Sequence, residues 1–319
     1  MRRIAGALFV PLIATAALAG CGSSSAPPPP SPNGSVTATG GFGQSPTVKI
    51  PTKTAGGNLY IRTEVHGTGA VLAKSDSFLS NYAVYIWSGT SHKLALSTFH
   101  ATPQVLANTL LPGLTKALDG QKMGSRVLVV LPPKYGYGPS GNPQVGVTGT
   151  DTLVFVVDMI KIYSATASAS GAQVSNGGGS LPTVTSAAAG KAPTVKVPTT
   201  APPSSLVVKT LIKGSGPPVV KGQYVVTQYV GLNWRTRAIF DSSWSRGTPL
   251  GFEIDATPSQ IIPGWDMGLV GVPVGSRVML VIPPKDGYGS AGASSAGIKG
   301  TDTLVFVVDV LDAVNGSAH

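Results

Sequence analysis

The sequence predicts an α+β protein in which two copies of one domain, each an α+β sheet wrapped on one short helix, are joined by disordered linkers. Three observations predict it. Runs of strand length rich in β-branched residues are closed by Gly and Pro, one stretch has helical spacing, and the chain repeats itself without gaps. Composition agrees. The 319 residues suit about two domains. Ionic residues make up only 11%, and 41 Gly and 27 Pro accompany 42% apolar content. That balance excludes a helical bundle, a coiled coil and a charge-rich disordered chain. One Cys excludes a disulfide framework and a Cys-based metal site, and His66, His92, His100 and His319 lack ligand spacing. No metal and no cofactor are expected.

Residues 1–20 are expected to be a lipoprotein signal peptide. Met1-Arg2-Arg3 is basic, Ile4 to Ala17 is apolar and uncharged, and Leu18-Ala19-Gly20-Cys21 closes the segment. The run is too short for an ordinary membrane span. Its last four residues resemble a bacterial lipobox. That resemblance implies a diacylglyceryl group on Cys21, and so an exported protein anchored by lipid on the extracytoplasmic face of the cell membrane. The alternative is a plain secretory signal with an accidental Cys. Removing Arg2 and Arg3 lowers the formal charge from +10 to +8.

Residues 21–45 are expected to be a disordered stalk, and residues 164–192 a disordered linker. Both are rich in Gly, Ser, Ala and Pro and poor in bulky apolar residues. Such composition offers too little burial to offset the entropy of ordering, and it predicts no fixed domain geometry.

Between them lie the copies, 46–163 and 193–313, followed by a tail at 314–319. Pro46 to Gly69 aligns on Pro193 to Gly216. Gly124 to Ile162 aligns on Gly275 to Ala313, identical at 23 of 39 positions, including GSRV, PPK, GYG and GTDTLVFVVD. Two copies are too few for a solenoid, so this is a duplicated globular domain. In the second copy, Leu206–Val208, Gln223–Val230, Arg277–Ile282 and Leu304–Leu311 read as strands. Ser259–Val270 reads as a helix with Ile261, Ile262, Trp265 and Leu269 on one face.

The second copy also carries QYVG, AIFDSSWSRGTPLGF, QIIPGWDMGL, GSRVMLVIPPKDGYG and GIKGTDTLVF in that order. This resembles the FKBP family of peptidyl-prolyl cis-trans isomerases over residues 204 to 313. The resemblance implies two FKBP-like domains, each a curved antiparallel sheet around a short helix. It also implies a proline pocket in the second. Catalytic positions would be Tyr229, Phe240, Asp241, Ile261, Ile262, Trp265 (the floor), Tyr288 and Phe306. Substrate would also meet Arg246, which pairs with Asp241, Leu250, where the family usually has Phe, and Ile298. Taken singly, Tyr229, Trp265 and Phe306 are ordinary core residues; the ordered set is what points to a site. Partners implied are proline-containing polypeptides and, as possible ligands, macrolides.

The first copy keeps Tyr82, Tyr137, Val147 and Phe155. Its FDSS equivalent is Ala95-Leu96-Ser97-Thr98, and Leu114 stands at the Trp position. The segment before its helix is six residues shorter, which is expected to remove the strand around Phe252. No isomerase activity is expected there; the copy would be a spacer or a peptide-binding surface. Two other readings of the chain compete. One is a proline-segment binding module without turnover, suggested by Leu250. The other is a polyanion binder, opposed by the dispersal of the basic residues. A nucleic-acid partner is not expected, and the chain is expected to be monomeric.

Overall fold

The computed structural model describes residues 32–107, 111–188 and 190–315. The expected leader, Cys21, stalk residues 21–31 and tail residues 316–319 lie outside them.

Strands β1 (Thr37–Thr39) and β2 (Thr47–Lys49) form a hairpin ahead of the first sheet. That sheet contains β3 (Tyr60–Val65), β4 (Ser77–Ser88), β5 (Ser91–Ser97), β6 (Gln104–Ala107), β7 (Arg126–Leu131) and β8 (Thr152–Tyr163). Helix α1 (Pro112–Leu118) lies between β6 and β7. Across the sheet the order is β3-β7-β8-β4-β5, with β6 also on β4. The second half repeats the plan. After β9 (Ala172–Gln173) comes the hairpin β10 (Thr183–Thr185) and β11 (Thr194–Lys196). Then follow β12 (Val207–Lys213), β13 (Gln223–Asn233), β14 (Ile239–Ser242), α2 (Ser243–Arg246) and β15 (Leu250–Glu253). Helix α3 (Pro263–Leu269), β16 (Arg277–Ile282) and β17 (Leu304–Asn315) complete it. The order is β14-β13-β17-β16-β12-β9, with β15 on β13. All ladders in both sheets are antiparallel.

The run LVFVVD is apolar without alternation because both faces of its strand are covered. Leu304, Phe306 and Val308 face the core that contains α3. Val305 and Val307 pack instead with Val184, Val197 and Trp234 on the other side. The first half divides the same way. Leu153, Phe155 and Val157 join the α1 core, while Val154 and Val156 meet Val36, Ala38 and Ile50.

The second covering layer is the segment expected to be disordered. Residues 32–45 and most of 164–192 are packed straps, and the polar core explains why. Arg126 and Asp158 form a buried bidentate ion pair at 2.6 and 2.8 Å. The guanidinium still has donors to place, and it gives them to the carbonyls of Gly40 (2.8 Å) and Gln44 (2.5 Å). The Gly43 N–H donates to Asp158 at 2.6 Å. In the second half Arg277 and Asp309 pair identically. Arg277 also donates to the Ser186 hydroxyl at 3.1 Å, and the Ala169 N–H donates to Asp309 at 2.8 Å. A buried ion pair must have its remaining groups satisfied. Gly and Ser supply that from backbone and hydroxyl groups, a role that composition rules score as disorder.

Three other boundaries move. The helix begins at Pro263, not Ser259, because the residue before a proline is pushed to extended geometry; Ile262 has φ −71° and ψ 147°. Strand β17 continues to Asn315, so 314 and 315 are sheet rather than tail. The strand expected to be missing from the first half is present as β6. It pairs with β4 as β15 pairs with β13, placing Leu106 at the Phe252 position. The six-residue deficit falls in the loops on either side of it.

Nor is the geometry of the halves left open by the linker. Leu79, Tyr163, Tyr224 and Val226 form one buried cluster between them. The Tyr163 hydroxyl donates to Asp312 at 2.8 Å, Lys161 pairs with Asp312 at 2.7 Å, and the Val105 N–H donates to the Tyr224 hydroxyl at 3.2 Å. Burial, and then Asp312, push the Tyr163 phenol well above its ordinary pKa.

Candidate active site

The second sheet curves over α3, and its inner face is aromatic. Tyr229 on β13 and Phe306 on β17 point inward from neighbouring strands. Pro263 starts α3 so that Trp265 falls on the sheet side, where it is 3% exposed. Trp265 meets Tyr229, Phe306 and Phe252 edge to face at 5.1, 5.2 and 5.4 Å between ring centroids. Edge-to-face pairs add about 0.5–1.5 kcal/mol beyond area burial, so the indole is fixed from three sides.

A β-bulge on β14 adds a fifth ring. The register between β13 and β14 shifts between Gly231 and Leu232, opposite Phe240. Phe240 leans onto Phe306 at 5.5 Å, edge to face. Gly231 makes room for both rings, since a Cβ there would lie 2.8 Å from each.

The result is a cavity of about 330 Å³. Tyr229, Phe240, Asp241, Leu250, Ile261, Ile262, Trp265, Tyr288 and Phe306 line it, as expected, together with Ser259 and Gln260. Two expected residues are not on its wall. Ile298 is buried in the α3 core, held by its bridge to Ala293. Arg246 lies behind Asp241. It pairs with that carboxylate, donates to the Tyr229 hydroxyl at 2.9 Å and covers the Tyr229 ring at 5.4 Å.

Tyr229 in turn donates to Asp241. Burial and that bond push the Tyr229 phenol up to about 12, so it stays a donor at neutral pH. Tyr288 is 41% exposed at the rim, and its pKa is raised by burial and by the charge of Asp241. Tyr229, Asp241 and Arg246 thus form one hydrogen-bonded group at a wall otherwise made of rings, aliphatic side chains, Ser259 and Gln260. Among the described residues no cluster of His, Cys, Asp or Glu could hold a metal ion.

Sequence reasoning missed Phe252 and Gly231. Phe252 sits two residues along β15 from Leu250 and restores behind the indole an aromatic wall that Leu250 alone does not give. Its alternation with Leu250 and Ile254 along the strand was the available signal. Gly231 stands in the quoted QYVG motif, but only the two rings above it explain why it is glycine.

Two copies of this scaffold match known proteins. The family model described as FKBP-type peptidyl-prolyl cis-trans isomerase matches residues 70–160 and 216–311. An FK506-binding protein of Streptomyces anulatus is 43% identical over 119 residues, covering 37% of this chain and 94% of that protein. The FKBP-type peptidyl-prolyl cis-trans isomerase FkpA of Escherichia coli is 38% identical over 109 residues, 34% of this chain and 38% of FkpA. The crystal structure of AtFKBP13 covers 35% of this chain and 94% of its own, at 34% identity and a TM-score of 0.32. With both halves matched and the order of motifs kept around one ring-lined cavity, the chain belongs to the FKBP-type peptidyl-prolyl cis-trans isomerases.

Proposed function

We propose that the second-domain cavity carries the isomerase activity and rotates X-Pro bonds of secreted or surface polypeptides. In this reading the first domain does not turn over, and lipid on Cys21 holds the chain at the outer face of a bacterial membrane. The observation that carries the catalytic part is the ring-lined cavity with Tyr288 and Asp241 on its wall.

Rotation about the peptide bond is opposed by resonance, a barrier of about 18–20 kcal/mol. At the twisted midpoint the nitrogen no longer conjugates with the carbonyl, and the group is less dipolar. Apolar walls therefore penalise the planar amide more than the twisted one, which is selective binding of the transition state. Trp265 and Phe306 pack against the prolyl ring. The Ile262 N–H precedes α3 and holds the substrate chain. Tyr288 donates to a substrate carbonyl. Arg246 and Tyr229 fix the Asp241 carboxylate against the far side of the rotating group, as positioning residues.

The test is a prolyl-peptide isomerisation assay on full-chain variants. Trp265→Ala is expected to lower kcat/KM about 100-fold, and Asp241→Ala about tenfold. The reverse order overturns the account in which the rings set the rate. For the anchor, Cys21→Ala is expected to abolish incorporation of labelled fatty acid; retained label would refute lipidation there.

A further inference from the structure

The first half contains a second cavity of about 570 Å³, larger than its counterpart and more apolar. The structure tells how it was emptied. Ala95 occupies the β5 bulge that holds Phe240 on β14, since the register of β4 with β5 shifts at the matching place. Leu114 replaces the indole, and Leu96 replaces the carboxylate of Asp241. Val84 takes the place of Gly231; the ring that Phe240 sets beside Gly231 is missing at Ala95, while Phe155 remains opposite Val84. Tyr82 and Phe155 still line the wall. The space has not collapsed: rings have been exchanged for smaller aliphatic groups, and a wider apolar cavity is left with no charged residue among its described lining residues.

The mouth has a chain-binding feature of its own. Strand β5 is an edge strand, paired among the described residues with β4 alone. It presents Leu94 and Leu96 at 53% and 48% exposure, and Leu96 also lines the cavity. An edge strand offers free backbone donors and acceptors to a second extended chain. A row of amides beside an apolar hole suits a polypeptide better than a small lipophile, which has no use for the amides. On the opposite wall Leu106 belongs to β6, which meets β15 of the second half, where Leu250 lines the other cavity. Thr102 and Glu253 are hydrogen-bonded across that meeting at 3.3 Å.

We propose that the first-domain cavity binds a bulky apolar side chain, aromatic or branched, carried by an extended polypeptide segment that adds to β5. It is a holding site for a client whose prolyl bond is turned over next door. The last clause rests on the function proposed above; the binding itself does not, so a probe without proline separates the two.

The probe is fluorescein-labelled Ala-Ala-Phe-Ala-Ala-Ala, followed by anisotropy with the full chain. Saturable binding is expected, weakened at least tenfold when Phe is replaced by Ala in the probe. Leu114→Trp, which refills the floor, and Ala95→Leu, which narrows the bulge, are each expected to weaken binding at least tenfold at an unchanged unfolding temperature. Methylating alternate amides of the probe is expected to do the same, and excess Ala-Ala-Pro-Ala is expected not to displace it. Absence of saturable binding overturns the proposal, and so does affinity indifferent to both variants. Indifference to amide methylation would mark a lipophile cavity rather than a chain site. Displacement by the prolyl peptide would place the probe in the second cavity and leave the isomerase reading intact.

Discussion

The two halves share a backbone plan and differ in what fills it. In the second, Gly231 and Phe240 occur together with Trp265, and five rings line a cavity of about 330 Å³. In the first, Val84, Ala95 and Leu114 stand at those positions and the cavity is about 570 Å³. Meanwhile the strap, the buried Arg–Asp pair and the bulge are present in both. The scaffold is thus specified by polar ties and two-sided strands, and the chemistry by a few side chains on one face. Gly231 stands with Phe240 and Val84 with Ala95, so the two positions differ together between the halves.

The comparison can be tested where the halves are alike. Arg126→Met and Arg277→Met each leave a buried carboxylate without its cation, which typically costs about 3–5 kcal/mol. Urea unfolding of both variants should show losses of that order. A small loss in one half alone would mean that its strap is not held by the pair. Where the halves differ, Gly231→Val imports the first-half residue against two rings. It is expected to displace Phe240 and lower kcat/KM about 100-fold, close to 2.7 kcal/mol. The reciprocal Val84→Gly removes a cavity-lining side chain opposite Phe155 and should cost at least about 1 kcal/mol of stability, the penalty of glycine in a strand.

Between the halves, Tyr163→Phe removes a hydrogen bond to a carboxylate, an expected loss of about 2 kcal/mol. The sign of its pH dependence is fixed. The Tyr163 pKa is raised in the folded chain, so its contribution is whole below the ordinary tyrosine range near 10 and falls as pH climbs beyond it. Alkaline melting curves of the phenylalanine variant should lack that part of the decline. The smallest effect is expected for Lys161→Ala, about 0.5 kcal/mol, because the lysine is half exposed.

Much of this was legible in the sequence. The repeat and the strands follow from ordered motifs and β-branched runs, and nine of the cavity's eleven lining residues from the family resemblance. What was not legible has physical causes. The straps carry few apolar residues, and their partners are charges more than 80 positions away in the first half. Strand β6 vanished from a count of residues because the deletion lay in loops, which a linear count cannot distinguish from strand. Ile298 keeps its family residue type while its side chain is absorbed into core. Arg246 was expected to meet substrate; its side chain lies off the cavity wall, paired with Asp241 and bonded to the Tyr229 hydroxyl.

The seam between the halves carries one more implication. Lys161 and Asp312 occupy equivalent positions in the two copies, as do Leu79 and Val226. Like would therefore meet like if two first halves, or two second halves, came together through this face: ammonium against ammonium, or carboxylate against carboxylate. The opposite signs at this one pair of equivalent positions make each half the other's preferred mate and penalise the symmetric pairings.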